Sequence, residues 1–223
     1  MILCLETATK NCSVALVSKG AVVHSRSEHA DKFVHGERLH LLIKECMDEA
    51  GISFDELDAV VVGKGPGSYT GLRIGVSAAK GICYASKLPL FSLPTLGCFN
   101  FDNVQEDLVI TVIDARRDEV FAQKWLREGS VFKAYGEVEA VVVTTQSWSE
   151  WNTEKVHVMG DATEKVSELH GNTSWVYAKN EYPSALQMPR FLDTSEMVRE
   201  DVAYFEPFYL KDFVALKSSK KLL

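Results

Sequence analysis

A two-lobed α/β fold with mixed sheets is what this chain predicts, on three observations. Tight polar turns join three short apolar segments at its start. An apolar strand then runs into a glycine-rich loop and a helix. Beyond residue 102 a similar order of elements begins again, with little identity between the copies. The expected organisation is a first lobe over 1–102 and a smaller second lobe over 103–201. A final segment, 202–223, is expected to pack back on the first lobe.

The elements follow from pattern and punctuation. Segments 2–6, 12–17 and 21–25 are rich in Val, Leu, Ile and Cys and are separated by turns at 7–11 and at Lys19-Gly20, which predicts an antiparallel meander. Leu39, Leu42, Ile43, Cys46, Met47 and Ala50 recur at helical spacing and Gly51 ends the run, so 36–50 is a helix. Segment 58–63 is a buried strand, and a helix runs from about Thr70 to Ser86, with Ser68 or Thr70 as its cap. Segment 89–93 is a short strand and 94–100 opens a helix. In the second half, 108–114, 119–125, 136–143 and 156–159 read as strands. Segments 146–151 and 161–170 read as helices, and Asp114 to Asp118 forms a turn.

Composition narrows the function. With 223 residues and 46% hydrophobic content the chain can bury a full core. No apolar run is long enough to span a bilayer, and the first residues lack a basic n-region and a secretory h-region, so a cytoplasmic protein is expected. The five cysteines are scattered, which suits reduced core thiols. A net charge of −7 suits no protein that grips a nucleic-acid backbone unaided.

The most informative stretch runs from Gly63 to Gly75: Gly63-Lys64-Gly65-Pro66-Gly67-Ser68-Tyr69-Thr70-Gly71-Leu72-Arg73-Ile74-Gly75. A glycine loop between a strand and a helix N-terminus suits an anion. The spacing, however, is neither a Walker A loop nor G-x-G-x-x-G. Lys64 is a candidate phosphate contact or a surface lysine. In the helix that follows, Gly71, Gly75, Ala78, Ala79 and Gly81 leave a stripe of small residues, and each interior glycine costs roughly 1 kcal/mol against alanine. Close packing must offset that cost. Two readings stand: the stripe packs on its own sheet, or it seats a second polypeptide. His35 and His40 are five apart and diverge on a helix, which makes a poor metal pair. Asp114, Arg116 and Arg117 offer an anion site or an ordinary charged turn. No nucleophilic triad or paired carboxylate stands out.

Several of these segments together resemble one family. They are Ile2-Leu3-Cys4-Leu5-Glu6-Thr7-Ala8-Thr9 with Ser13-Val14-Ala15-Leu16, His35-Gly36-Glu37-Arg38-Leu39, the glycine block with Ala79-Lys80-Gly81, Asp114-Ala115-Arg116 with Glu119-Val120-Phe121, and Pro207-Phe208-Tyr209-Leu210. In that order they resemble the TsaB (YeaZ) family, bacterial dimerisation partners in threonylcarbamoyladenosine modification of tRNA. The departures are small: Glu6 stands where aspartate is commoner, and Tyr69 where phenylalanine is.

The resemblance implies an actin-like (ribonuclease H-like) fold and a non-catalytic scaffold. Its partners would be the catalytic TsaD and the ATPase TsaE, with a homodimer when alone, no cofactor, no metal and no tRNA contact of its own. It implies a partner interface on the two first-lobe helices. On the first these are His35, Leu39, Leu41 and Leu42. On the second they are Gly71, Leu72, Gly75, Ala78, Ala79 and Ile82. It also implies a vestigial nucleotide cleft at Glu6, Thr7, Lys64, Gly65, Gly67, Asp114 and Arg116. Actin-like enzymes place a glycine in the first phosphate turn, whereas Glu6-Thr7-Ala8-Thr9 has none, nor does Asp114-Ala115-Arg116. The rival reading is an enzyme of the same superfamily, a small-molecule kinase or a peptidase.

Overall fold

The computed structural model describes residues 1–30, 34–179, 181–192 and 194–211. Two mixed sheets dominate it. The first contains β1 (Ile2–Glu6), β2 (Asn11–Ser18), β3 (Ala21–His29), β4 (Ala59–Gly63), β5 (Leu90–Leu93) and a late strand, Val198–Glu200. Its order is Val198–Glu200, β5, β4, β1, β2, β3. The meander is present: β1 pairs antiparallel with β2, and β2 with β3. β4 then adds parallel to β1, with Leu3 opposite Val60 and Leu5 opposite Val62.

The second sheet contains β6 (Leu108–Asp114), β7 (Glu119–Glu128), β8 (Val131–Val142), β9 (Val156–Gly160) and β10 (Val176–Tyr177). Read from β8, its order is β8, β7, β6, β9, β10, the same sequence of positions as β3, β2, β1, β4, β5 in the first. The repeat expected from sequence is therefore a repeat of topology. The copies differ in their helices. The first carries α1 (His35–Ala50) between its third and fourth strands and α2 (Tyr69–Ser86) between its fourth and fifth. The second keeps α3 (Thr163–His170) in the later position. In the earlier one it has only a 3-10 turn, Ser149–Trp151, where a helix over 146–151 was expected. The helix expected over 94–100 is likewise a 3-10 turn, Thr95–Gly97. Two groups there are engaged elsewhere: Thr95 Oγ1 accepts the Gly65 N–H at 3.0 Å, and the Cys98 carbonyl accepts from Ser184 at 2.8 Å.

Period-2 alternation splits the first sheet cleanly. Leu3, Leu5, Val14, Leu16, Val60 and Val62 point into a core covered by α1 and α2. Cys4, Ala15, Val17 and Val61 point the other way, into a core that includes Phe99, Phe101, Val109, Trp125 and Met188. That second core is shared by both sheets. All five cysteines are buried free thiols, and burial pushes those of Cys4 and Cys12 up to about 12.

The chain returns to the first sheet ahead of residue 202. Pro183 O accepts from Asn11 Nδ2 at 3.0 Å, and the Ala185 N–H donates to Ser13 Oγ at 2.9 Å. A 3-10 segment, Ala185–Phe191, follows, and then the edge strand pairing with β5. These residues lie in the stretch assigned from sequence to the second lobe. Further on, Phe205 enters the helix-covered core, Lys80 Nζ donates to the carbonyls of Ala203 and Phe205, and the Phe208 N–H donates to Lys64 O at 2.7 Å. Residues 212–223 of the expected C-terminal segment lie outside the described residues.

Candidate functional site

The turn after β1 is the structural centre of the first lobe. Glu6 closes the strand, and its carboxylate folds back so that Oε1 accepts the N–H groups of Thr7 and Ala8, each at 2.8 Å. Glu6 and Thr7 have no exposed surface, and Ala8 and Thr9 have almost none. Oε2 has no hydrogen-bond partner among the described residues. Burial pushes the Glu6 carboxyl up to about 7, against the opposing pull of the Ala8 N–H, the Thr95 hydroxyl and the Thr7 N–H. Both helices hold the turn. Thr7 Oγ1 donates to Gly71 O at 2.9 Å on α2, and His35 Nε2 of α1 donates to Thr9 O at 2.7 Å. Burial lowers the His35 pKa, with backbone bonds at Thr9 and Thr7 opposing it. His35 is thus a core residue while His40 is exposed, and the structure does not bring the two together as a pair.

The glycine block wraps this turn. Glycines recur every four residues, and each faces it. A Cβ on Gly63 would lie 2.0 Å from Glu6 Oε2, on Gly67 2.5 Å from Ala8 O, on Gly71 2.2 Å from Thr7 O, and on Gly75 2.2 Å from Thr7 Oγ1. Real Cβ atoms do not come so close, so glycine is what lets these backbones meet. The Ser68 N–H donates to Ala8 O at 2.7 Å, and Ser68 Oγ caps α2 by accepting from Gly71 N at 3.2 Å. Gly71, Gly75 and Ala79 of the small-residue stripe pack within the chain, whereas Gly81 faces open space.

The residues expected in a nucleotide cleft lie on two turns, one after β1 and one after β6, and Lys10 beside the first acts electrostatically on Asp161 beside the second. Glu6 and Thr7 are sealed inside. Gly67 backs the turn. Gly65 donates to Thr95 and is overlaid by Leu72 and the Phe208 carbonyl. Lys64 is half-buried, its backbone tied to Leu93 and Phe208. Asp114 and Arg116 sit at the end of β6, in the second sheet, in a charged turn of their own. Asp114 Oδ1 accepts from Arg116 N at 2.9 Å and pairs with Lys165, and the Asp114 N–H donates to Asp161 at 2.8 Å. Burial pushes Asp161 up to about 6. Among the described residues no hydrogen bond or ion pair joins this turn to Glu6 or Thr7. A nucleotide phosphate on the first turn would need the two N–H groups that Glu6 already holds, so these residues do not fit one.

The outer face of the helix pair is open. A groove of about 750 Å³ runs along α2, lined by Tyr69, Thr70, Arg73, Ile74, Ser77, Ala78, Gly81, Ile82, Ala85 and Ser86, with Gly36 and His40 of α1 and Phe54 on its far bank. Tyr69 packs against Tyr209 with centroids 5.0 Å apart and rings tilted by 37°, and Arg73 donates to the Tyr69 hydroxyl at 2.9 Å. Of the residues named from sequence as an interface, Leu41 is exposed, and Ala78 and Ile82 line the groove. His35, Leu39, Leu42, Gly71, Leu72, Gly75 and Ala79 are enclosed in the chain's own core. The groove stripe Thr70, Ile74, Ser77, Gly81, Ala85 lies one residue before the glycine stripe. It was legible as helical spacing, but its residues are too mixed in character to be singled out. Among the described residues no group of three or more His, Cys, Asp and Glu side chains could hold a metal ion, and no helix is long and apolar enough to cross a membrane.

The family described as TsaD, tRNA N6-adenosine threonylcarbamoyltransferase, matches residues 28–204. The tRNA threonylcarbamoyladenosine biosynthesis protein TsaB of Escherichia coli is 29% identical over 97% of this chain and 96% of its own length. TsaB of Haemophilus influenzae is 35% identical over 57% of this chain, a stretch spanning 54% of that protein. The solved structure of YeaZ from Pseudomonas aeruginosa superposes with a TM-score of 0.80, covering 94% of this chain and 99% of that one, at 24% identity. That likeness is one of fold, and the α/β architecture of two mixed sheets is actin-like.

Proposed function

Because the chain belongs to the threonylcarbamoyltransferase family that TsaD names, and within it to the TsaB/YeaZ proteins, we propose that it is a non-catalytic scaffold. Its process is tRNA threonylcarbamoyladenosine biosynthesis, the one that its TsaB relatives are named for. In this reading the outer face of α1 and α2 docks the catalytic TsaD in the cytoplasm. TsaE joins that assembly, and a second copy of the chain takes the same face when TsaD is absent. The tRNA is held by partners, in keeping with the net charge of −7.

One observation carries the reading: an apolar groove lies open between α1 and α2 while the turn beneath them is closed. A surface of Tyr, Arg and Ile around a shallow groove has the make-up of an interface centre. Gly81 tests it. A Cβ there meets nothing within 4 Å, so the fold accommodates a side chain, yet Gly81 lines the groove. Gly81→Glu should leave the chain folded and remove TsaD from co-purification, with loss of threonylcarbamoylation in the reconstituted system. Wild-type co-purification by a folded Gly81→Glu chain would place the interface elsewhere.

A further inference from the structure

We propose that Glu6 is a tethered ligand: its carboxyl group occupies, from within the chain, the paired N–H donors of the first turn, and so shuts that turn to external phosphate. Two successive N–H groups, of Thr7 and Ala8, converge on Oε1 at 2.8 Å each. Converging backbone donors of this kind are what an anion-binding turn offers. The occupant is a whole carboxylate group with no exposed surface. Burying such a group is costly unless the site is built around it.

The walls are built around it. A Cβ on Gly63 would lie 2.0 Å from Oε2 and 2.6 Å from the carboxyl carbon, so the missing side chain at 63 is the space the carboxylate occupies. Gly67, Gly71 and Gly75 bring backbone and helix onto Ala8 and Thr7 from the remaining side. Shortening Glu6 to alanine removes a CH2–carboxyl unit, the heavy atoms of acetate, whereas phosphate would bring five heavy atoms in a tetrahedron. The actin-like fold implies a nucleotide at this turn, and in this chain the residues present exclude it. The inference holds whether or not the helix pair docks a partner.

The test is chemical rescue of the full chain. Glu6→Ala is followed by thermal unfolding in formate, acetate, inorganic phosphate and chloride at matched ionic strength. The variant should melt roughly 5–10 °C below wild type in chloride. Formate or acetate should restore at least half of that loss, saturably, as a bound ligand does. Phosphate should do no more than chloride, and none of the four should shift wild type differently from the others. No recovery in either carboxylate relative to chloride, or specific stabilisation by phosphate, would each overturn the proposal. Should Glu6→Ala not fold, amide NMR of wild type decides. The Thr7 and Ala8 N–H resonances should move together as Glu6 titrates and stand still in Glu6→Gln, and resonances indifferent to pH in wild type would refute it.

Discussion

Gly75 and Thr7 share one contact that organises the first lobe: a Cβ on Gly75 would lie 2.2 Å from the Thr7 hydroxyl oxygen, which itself donates to Gly71 O at 2.9 Å. One turn of α2 is therefore pinned to the end of β1 by a hydrogen bond that only a glycine-faced helix admits.

The glycines of α2 should respond to substitution with opposite signs. Gly75→Ala forces a methyl against Thr7 and should cost about 1–3 kcal/mol in urea unfolding. Gly81→Ala meets open space in a helix interior and should add up to about 1 kcal/mol. Equal effects at the two positions would show that the Thr7 contact does not constrain the helix.

Glu6 should make stability fall as pH rises from about 4.5 to about 7. Its carboxyl titrates near 4.5 when exposed and near 7 in the fold, so the folded chain holds an extra proton between those values. The contribution is fully present below the unfolded pKa and is lost as pH rises through about 7. Its size is about 3 kcal/mol. Asp161, raised to about 6, acts in the same sense at slightly lower pH. Unfolding free energies from pH 5 to 8.5 should fall for wild type. Glu6→Gln should flatten the upper part of that curve, and Asp161→Asn the lower part.

Gly160 should tolerate no side chain. It ends β9 opposite Val112 of β6 with a φ of +140°, and a Cβ would lie 1.8 Å from the Val112 carbonyl oxygen. Gly160→Ala should cost about 3 kcal/mol or more, combining backbone strain with a broken parallel pairing. Circular dichroism melts against Gly171→Ala give the comparison, since Gly171 caps α3 in open space and carries only the strain of its left-handed φ.

Much of the architecture is written locally. Alternation in β1 and β4 puts Leu3, Leu5, Val60 and Val62 on one face, and the spacing of Leu39, Leu42, Ile43 and Cys46 with Gly51 bounds α1. The family motifs are local strings too. The segment from Pro183 to Glu200 was not legible. Its packing against β1, β2 and β5 depends on partners such as Asn11 and Ser13, 172 residues away, and no period marks it.

The site divides along the same line. The chain's order of residues settles that α2 carries a stripe of small residues and that the β1 turn lacks a phosphate glycine, because both are properties of neighbours in sequence. Which stripe of α2 looks inward is another matter. The glycine stripe and the Thr70–Ala85 stripe are one residue apart, about 100° around the helix, and both are small enough to face a neighbour. Folding chose between them, because the backbone that enters the glycine groove is the Thr7–Ala8 turn, about sixty residues upstream. Once it is seated there with the Glu6 carboxylate behind it, the other stripe is left at the surface.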